Sequence, residues 1–267
     1  MKLTMRLGAD SYDIVIKRGA LGNLGQLTDL ANRKVFIVTD TGVPIQYAET
    51  VKAQCADGSI FVVPQGETSK SIKVYTTVLQ AMLEFGMTRA DLVVAVGGGV
   101  VGDMAGFAAA TYMRGIQFIN CPTTTLSQFD SSIGGKVAVD LGETKNIVGA
   151  FWQPKLVIVD PSTLATLPRR QYINGLAESV KASLLADPEL FAIFEKGDID
   201  EQIGEIIYRS LRFKKSIVEQ DETEHGMRKA LNFGHTIGHG IEAVKGVKGR
   251  RTVGLYHGEC VALGMLP

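Results

Sequence analysis

The feature that most restricts the fold of this chain is a buried strand that runs directly into a glycine-rich turn and then into an alanine-rich helix. Residues 92–96 (LVVAV) are uninterrupted apolar, residues 97–103 read GGGVVGD, and residues 104–112 show a helical pattern. Unbroken apolar strands are typical of parallel sheets covered by helices on both faces. A glycine run after a strand is often only a tight turn, but this order of elements also favours phosphate binding at a helix N-terminus.

The same alternation of strands and helices extends through residues 1–168. Apolar residues alternate on either side of residues 8–10, which predicts an opening β-hairpin. Further strands are predicted over residues 34–39, 59–63, 92–96, 117–120 and 156–159, with helices over residues 45–54 and 71–85. Such an order predicts a mostly parallel sheet, and these sheets bind ligands where strands end and helices begin. We therefore expect an α/β nucleotide-binding domain over residues 1–168.

Two further loops at the expected ligand edge are rich in polar residues. Residues 64–70 (PQGETSK) place Glu67 and Lys70 before a helix, where a charged capping box is an equally good explanation. Residues 122–136 contain a dense run of hydroxyl side chains, then Asp130, two glycines and Lys136, a composition suited to anion recognition. Together with the glycine turn, these loops favour a nucleotide.

Residues 169–267 show helical periodicity almost throughout, so we expect an all-α domain there. Helices are predicted over residues 171–186, 188–196, 200–219 and 227–244. Residues 262–267 are apolar and carry no capping signal. We therefore expect further sequence beyond Pro267, and weak activity without it because apolar surface would be exposed.

The strongest chemical signal in this second domain is a pair of histidines, His235 and His239, in the segment NFGHTIGHGIE at residues 232–242. On a helix they share a face, so both can hold one metal ion, or one can bind metal while the other moves protons. Two hydrogen-bonded structural histidines are the simpler explanation. His257 is a candidate third ligand, since two imidazoles and one carboxylate leave an open position on Zn²⁺. Spacing does not choose among the candidate carboxylates, which are Glu178, Glu242 and Glu259.

The composition argues against several classes of protein. Lys and Arg total 28 against 28 Asp and Glu, so no overall charge favours nucleic acid or an anionic membrane as a partner. The N-terminus lacks a hydrophobic signal segment and no apolar run approaches membrane-spanning length, which favours a cytoplasmic protein. Three widely spaced cysteines give no disulfide framework. An anionic substrate must therefore be held by a local cluster of basic side chains.

Long motifs, in order along most of the chain, resemble those of the 3-dehydroquinate synthase family. They are GGGVVGD at 97–103, DSSIGGKVAVD at 130–140, KNIVGAFWQP at 145–154, AESVK at 177–181, ALNFGHTIGHGIE at 230–242 and YHGE at 256–259. The resemblance implies a shikimate-pathway enzyme that converts DAHP, a seven-carbon keto-sugar acid phosphate, into 3-dehydroquinate and inorganic phosphate. It also implies bound NAD⁺, a divalent metal (Zn²⁺ or Co²⁺) and a homodimer.

The resemblance also assigns roles to individual residues. The implied metal ligands are Glu178, His235 and His257, which leaves His239 to handle protons. Positions similar to the family's NAD⁺ contacts are Glu67, Lys70, Gly99, Val100, Val101, Gly102, Asp103, Thr123, Thr124, Lys136, Lys145, Thr163, Leu164, Ala165 and Thr166. Positions similar to its substrate contacts are Asp130, Lys136, Asn146, Lys181, Lys214, Arg228 and Asn232, and Arg114 is similar to an arginine that reaches the partner subunit's site.

Three alternatives remain beside this expectation. Sister sugar phosphate cyclases have a similar scaffold, although Lys136 and the Lys145-Asn146 pair favour dehydroquinate synthase among them. Metal-dependent glycerol dehydrogenases would accumulate NADH, whereas the implied mechanism of transient oxidation, phosphate β-elimination, re-reduction and aldol closure would not. A catalytically silent NAD-binding scaffold is disfavoured because it would not need an intact set of metal ligands.

Overall fold

The computed structural model describes residues 1–245 and 254–266 of the chain. These residues form two compact units, the first of Met1–Thr123 and Ser131–Thr166 and the second of Thr124–Asp130 and Leu167–Pro267. The expected division at residue 168 treats both domains as continuous, whereas the short segment Thr124–Asp130 groups with the second unit. Within the described ranges, every helix is too short or too polar to cross a bilayer.

A seven-stranded sheet forms the centre of the first unit, and two more strands form a separate hairpin. The nine strands of the described residues are β1 (Lys2–Met5), β2 (Tyr12–Ile16), β3 (Lys34–Asp40), β4 (Asp57–Val63), β5 (Leu92–Gly97), β6 (Gln117–Pro122), β7 (Lys136–Leu141), β8 (Thr144–Phe151) and β9 (Leu156–Val159). The sheet order is β1-β2-β9-β6-β5-β3-β4. β1 and β2 pair antiparallel and the other neighbouring strands pair parallel. The predicted opening hairpin and mostly parallel sheet are confirmed.

Helices cover both faces of this sheet. α1 (Ile45–Lys52) lies on one face, and α2 (Ile72–Glu84) and α3 (Gly99–Thr111) lie on the other. The side chains of β5 alternate between the two resulting cores and all of them are buried, which explains the unbroken apolar run at residues 92–96. Helix α3 begins at Gly99, five residues before the predicted helix over residues 104–112.

The β7–β8 hairpin was not predicted, and residues 122–136 were expected to be a loop. β7 and β8 pair antiparallel with an irregularity between Val139 and Leu141. Val137 and Val139 are buried in the core that includes α3, whereas most of β8 is exposed. The hydroxyl, glycine and charged residues that surround the hairpin hide its short alternation of apolar side chains.

The second unit is helical, as predicted. Its helices are α4 (Arg169–Ala186), α5 (Pro188–Lys196), α6 (Ile203–Val218), α7 (His235–Lys245) and α8 (His257–Gly264). The single helix predicted over residues 227–244 is wrong in its first part, where a 3-10 turn (Met227–Asn232) precedes α7. Gly234 interrupts the two with φ 77°, a left-handed conformation that glycine adopts without steric cost.

Candidate active site

One face of α4 supplies the buried carboxylate of the candidate metal site. Glu178 is 4% exposed, and Lys181, one turn further on, is 3% exposed. The ammonium of Lys181 contacts Glu178 Oε2 and donates to the carbonyl of Leu231 at 2.7 Å. The other oxygen, Glu178 Oε1, is buried and has no hydrogen-bond partner among the described residues. Since a buried carboxylate oxygen without a partner is costly, this atom requires a further ligand.

Imidazoles from α7 and α8 face this oxygen. His235 begins α7 and His257 begins α8, and their Nε2 atoms lie 3.4 and 3.7 Å from Glu178 Oε1. His239 completes a group of three rings, with its centroid 5.3 Å from that of His235 and 5.8 Å from that of His257. The predicted shared helical face of His235 and His239 is therefore present in the structure.

The donor set fits a divalent metal. The ligand atoms of Glu178, His235 and His257 lie within 4.8 Å of one another. Burial lowers the pKa of His235, which favours the neutral imidazole that metals require. Two nitrogens and one oxygen suit Zn²⁺ or Co²⁺ and leave a coordination position for substrate.

A second group shares His257 and consists of His239, Glu242 and His257. Its ligand atoms also lie within 4.8 Å of one another. Glu242 Oε2, however, lies 3.4 Å from Nδ1 of His257, while the Nε2 atom of the same ring faces Glu178. A carboxylate behind a ligating imidazole is the usual arrangement around a metal, because it fixes the ring's orientation and tautomer. Glu242 therefore fits an orienting role, and the unpartnered oxygen of Glu178 favours the first group for the metal itself.

Glu259, the third candidate carboxylate, does not face the histidines. Arg170 binds both of its oxygens, at 2.7 Å from Nε and 2.8 Å from Nη2. The backbone N–H of Tyr256 also donates to Glu259 at 2.8 Å. These contacts argue against Glu259 as a metal ligand, because its carboxylate is already bound by an arginine and a backbone N–H.

Basic side chains cluster in the same unit. Lys214 Nζ lies 3.0 Å from Asp130 Oδ1 and donates to the Asp130 carbonyl at 2.9 Å. Burial lowers the pKa of Lys214. Burial by itself would raise the pKa of Asp130, but the positive charges of Lys214 and Lys181 have the larger combined effect, so the pKa of Asp130 lies below its usual range. Arg228 is buried and donates to the carbonyl of Glu222. Three of the predicted substrate-binding cations are therefore fixed by partners on the protein.

One residue that orders this cluster, Asp221, was not predicted from the sequence. Asp221 accepts hydrogen bonds from the backbone N–H groups of His225 (2.8 Å), Gly226 (2.7 Å) and Arg228 (2.9 Å). Its signal was a charged turn, which an exposed loop explains equally well. Asn232, by contrast, lies exposed at the end of the 3-10 turn that follows.

In the first unit, the glycine turn forms a candidate dinucleotide site. The N-cap residue of α3 is Gly98, which has no side chain to cap the helix. The first N–H groups of the helix are therefore available to a ligand. A Cβ on Gly99 would lie 3.1 Å from Ser131 Oγ, and one on Gly102 would lie 3.1 Å from the amide of Asn120. These glycines therefore let the turn pack closely against Ser131 and Asn120, and the N–H groups at the start of α3 are the feature that fits a pyrophosphate group.

A charged network lies in the same unit. The Lys70 ammonium contacts the carboxylate of Asp103 and Oδ1 of Asn146, and Lys145 lies 3.9 Å from Glu67. Asn146 adopts φ 54°, an uncommon left-handed conformation for a residue with a side chain. The structure thus brings together five residues for which the resemblance implies NAD⁺ or substrate contacts.

The remaining predicted residues lie at several places. Thr123 ends up beside β5, where its N–H donates to the carbonyl of Gly97 at 2.9 Å, whereas Thr124 belongs to the second unit. The segment Pro161–Thr166 is a 3-10 turn that contains the other four predicted positions. Lys136 is exposed at the start of β7, and Arg114 has φ 67° at the end of a 3-10 turn.

The loop after β3 was not assigned a role from the sequence. β3 and β5 are neighbours whose following segments lead toward opposite sides of the sheet, the position where such folds bind ligands. Asp40, the last residue of β3, is buried and accepts hydrogen bonds from the backbone N–H groups of Gly42 (2.8 Å) and Val43 (3.1 Å). Burial nevertheless raises the pKa of Asp40. Thr39 Oγ1 is buried without a hydrogen-bond partner in the described structure. An acidic residue directly after a buried strand was the available signal.

Comparisons with known proteins agree with this geometry. A family model described as 3-dehydroquinate synthase N-terminal matches residues 60–174, and one described as 3-dehydroquinate synthase C-terminal matches residues 175–267. The 3-dehydroquinate synthase of Streptococcus thermophilus is 45% identical, with 100% of this chain and 77% of that protein covered. That of Pelobacter propionicus is 42% identical, with 99% and 76% covered.

Solved structures resemble the whole described fold. A 2-deoxy-scyllo-inosose synthase complexed with carbaglucose-6-phosphate, NAD⁺ and Co²⁺ is 27% identical with a TM-score of 0.86, covering 99% of this chain and 73% of that one. A 2-epi-5-epi-valiolone synthase from Streptomyces hygroscopicus, with NAD⁺ and Zn²⁺ bound, is 31% identical with a TM-score of 0.84, covering 95% and 72%. A probable glycerol dehydrogenase from Sinorhizobium meliloti, 16% identical with a TM-score of 0.57, shares the fold alone. From the two family models and the relatives over 40% identical, the chain belongs to the 3-dehydroquinate synthase family.

Proposed function

We propose that the chain carries out its family's reaction, the cyclisation of DAHP to 3-dehydroquinate with release of inorganic phosphate, at the Glu178, His235 and His257 group. The observation that carries the proposal is Glu178 Oε1, a buried carboxylate oxygen that faces two imidazole nitrogens and has no other partner in the described structure. NAD⁺ and Zn²⁺ or Co²⁺ are the cofactors, as in the solved cyclases that resemble this chain.

When bound, the two cofactors supply a temporary hydride acceptor and a Lewis acid for the substrate alcohol, so that oxidation, phosphate β-elimination, re-reduction and aldol closure leave no net redox change. The protein's own side chains bind and orient the substrate for these steps. Lys181, Lys214 and Arg228 provide the local positive charge that a chain of zero formal net charge must concentrate to hold a carboxylate and a phosphate. The buried contacts of these three side chains keep them ordered before substrate arrives.

Proton transfer is assigned to His239. Its imidazole lies beside those of His235 and His257, yet His239 is exposed, so it can exchange protons with substrate or solvent. The Glu178 carboxylate is instead buried, with Lys181 on Oε2 and with Oε1 facing His235 and His257 as a proposed metal ligand. Asn232, at the end of the preceding turn, is a further proposed substrate contact.

The α3 N-terminus is the proposed site of the NAD⁺ pyrophosphate. Support comes from the first turn of α3, whose glycine N-cap Gly98 has no capping side chain, and from the position of β5 beside β3 in the sheet. Lys70 and Asp103 pair beside one another in this unit and complete the proposed contacts. The α/β domain of residues 1–168 therefore binds the dinucleotide, and the helical domain of residues 169–267 binds metal and substrate.

The broader setting follows from the family. We propose that the protein acts in the cytoplasm, within the shikimate pathway of aromatic amino acid biosynthesis, and works as a homodimer to which Arg114 contributes. The positive φ of Met113 and Arg114 (50° and 67°) supports a special role for this turn, because side chains rarely adopt this conformation without a local requirement.

The decisive assay measures phosphate release from DAHP while NADH absorbance is followed in the same sample. We expect phosphate and 3-dehydroquinate in equal amounts and no net NADH. Accumulation of NADH with glycerol would favour a dehydrogenase instead, and turnover of another sugar phosphate in place of DAHP would favour a sister cyclase. Omitting NAD⁺ and removing the metal are the matched controls.

A further inference from the structure

Three residues of α4 lie four positions apart on one face of the helix: Arg170, Asn174 and Glu178. Glu178 faces the histidines, and the other two contact the start of α8, where His257 is the first residue. The face that presents one proposed metal ligand therefore also holds the element that carries another.

Asn174 binds the backbone directly after His257. Its Oδ1 accepts the N–H of Gly258 at 2.7 Å and that of Glu259 at 3.3 Å, two of the donors that a helix leaves free in its first turn. A Cβ on Gly258 would lie 1.9 Å from the carbonyl oxygen of Asn174, so the backbones of the two helices touch here. A side chain of α4 thus does for α8 what an N-cap residue normally does for its own helix.

Arg170 binds on both sides of His257. Its guanidinium makes the two-point contact to Glu259 at 2.7 and 2.8 Å and donates to the carbonyl of Gly254 at 3.0 Å. It also lies over the ring of Tyr256, 4.3 Å from the centroid. The residues before and after His257 are therefore held by one side chain.

We propose that Arg170 and Asn174 are positioning residues for the metal: by holding the first turn of α8 against α4, they set the distance between His257 and Glu178 and so the affinity and lifetime of the bound ion. This inference rests on the proposed metal site. Zn²⁺ accepts nitrogen and oxygen ligands only within a narrow range of about 2.0–2.2 Å, so a loosened α8 raises the rate at which the ion leaves. Groups that orient metal ligands typically change metal affinity about 10- to 100-fold when removed.

The contact between Arg170 and Glu259 is well placed to affect metal more than folding. The two side chains are 43% and 26% exposed, and ion pairs this open to water contribute little to stability. A role limited to structure would lower the melting temperature of the metal-free protein without changing the metal's surroundings. A positioning role predicts altered metal surroundings and faster loss of the metal, with little change in the melting temperature of the metal-free protein.

The test loads the full chain with Co²⁺ and records its visible spectrum and the rate of Co²⁺ loss to excess EDTA. The variants are Arg170→Ala, Asn174→Ala and Asn174→Asp, with Arg169→Ala as matched control. Arg169 is the neighbouring arginine, but it pairs with Asp200 at 3.3 Å and lies over the ring of Tyr172, with no hydrogen bond or ion pair to α8 among the described residues. Melting of each metal-free variant is measured alongside.

We expect Asn174→Ala and Arg170→Ala to lose Co²⁺ about 10- to 100-fold faster than the wild type, with shifted absorption bands. Melting of the metal-free protein should be nearly unchanged in Arg170→Ala and lower by only about 2–4 °C in Asn174→Ala, because the loss of a helix cap costs about 1 kcal/mol. Asn174→Asp keeps an oxygen that accepts the two N–H groups, so it should restore retention, and Arg169→Ala should behave as wild type. Loss rates and spectra that match Arg169→Ala would overturn the inference, as would lower melting with unchanged Co²⁺ loss. If Asn174→Ala does not fold, Arg170→Ala and Glu259→Gln decide by the same criteria. A wild-type protein that takes up no Co²⁺ would instead overturn the proposed metal site itself, and this inference with it.

Discussion

Lys214→Met removes the charge from a largely buried ion pair of the basic cluster while keeping an unbranched side chain of similar length. In the wild type, Lys214 Nζ lies 3.0 Å from Asp130 Oδ1, and the two side chains are 10% and 28% exposed. The substitution leaves the carboxylate of Asp130 largely buried without its nearest cation. We expect the variant to be less stable and to bind substrate more weakly.

The magnitude follows from the burial of the pair. Breaking a fully buried ion pair costs about 3–5 kcal/mol, and the partial exposure of Asp130 lets water screen the remaining charge, so we expect a loss of about 2–3 kcal/mol at neutral pH. In the wild type, Lys214 helps to hold the pKa of Asp130 below its unfolded value of about 3.9. This stabilisation is present above about pH 4 and is lost as pH falls below that value. The penalty in the variant should shrink over the same range, because a protonated Asp130 needs no cation.

Urea unfolding of the metal-free protein at pH 7 and near pH 3, below the unfolded pKa of Asp130, measures the effect. The double variant Asp130→Asn with Lys214→Met is the control, since it removes both charges and should recover at least half of the loss. A loss below about 0.5 kcal/mol at pH 7, or a double variant as unstable as the sum of the single ones, would refute the reasoning.

Three further predictions test the site. His235→Ala should leave the protein without stoichiometric metal, whereas His239→Ala should keep the metal and lose about 100-fold or more in turnover. Metal analysis and steady-state kinetics measure both effects. Loss of metal in His239→Ala would show that the roles of the two histidines are exchanged. EDTA should abolish turnover and Zn²⁺ or Co²⁺ restore it, and full activity in protein proven free of metal would contradict this. Backbone N–H groups, that of Arg228 foremost, lower the pKa of Asp221 to about 2. The resulting stability is present above about pH 4 and is lost toward pH 2, so Asp221→Asn should unfold more readily than wild type at pH 7 and equally near pH 2; a constant difference across the range would be the contrary result.

The parts of the fold that the sequence predicts well are those in which neighbours along the chain decide the structure. The apolar run at 92–96 predicts a strand buried on both faces, and the structure has a fully buried strand there. The helix predicted over 227–244 failed because its interruption depends on packing: a Cβ on Gly234 would lie 2.6 Å from Met265 and 2.9 Å from the carbonyl of Val261. Contacts with a later helix are invisible in the periodicity of an earlier one.

The same limit applies to the choice of carboxylate in the metal site. Spacing placed His235 and His239 on one face, which the structure bears out. Spacing could not distinguish Glu178 from Glu259 as the metal-binding carboxylate, because the arginine that binds Glu259 lies 89 positions earlier in the chain. Only three-dimensional structure shows that one carboxylate already has its partners while the other has an oxygen without one.

The short segment Thr124–Asp130 has a consequence for how the chain can be divided. It comes early in the sequence yet groups with the second unit, where the Thr125 hydroxyl donates to the carbonyls of Gln171 (3.0 Å) and Tyr172 (2.9 Å). A fragment that starts at residue 167 would lack these contacts and the carboxylate that pairs with Lys214. During synthesis the helical unit therefore waits on a piece of chain made before its main body, and we expect a fragment cut at residue 167 to be less stable than the same unit in the whole chain.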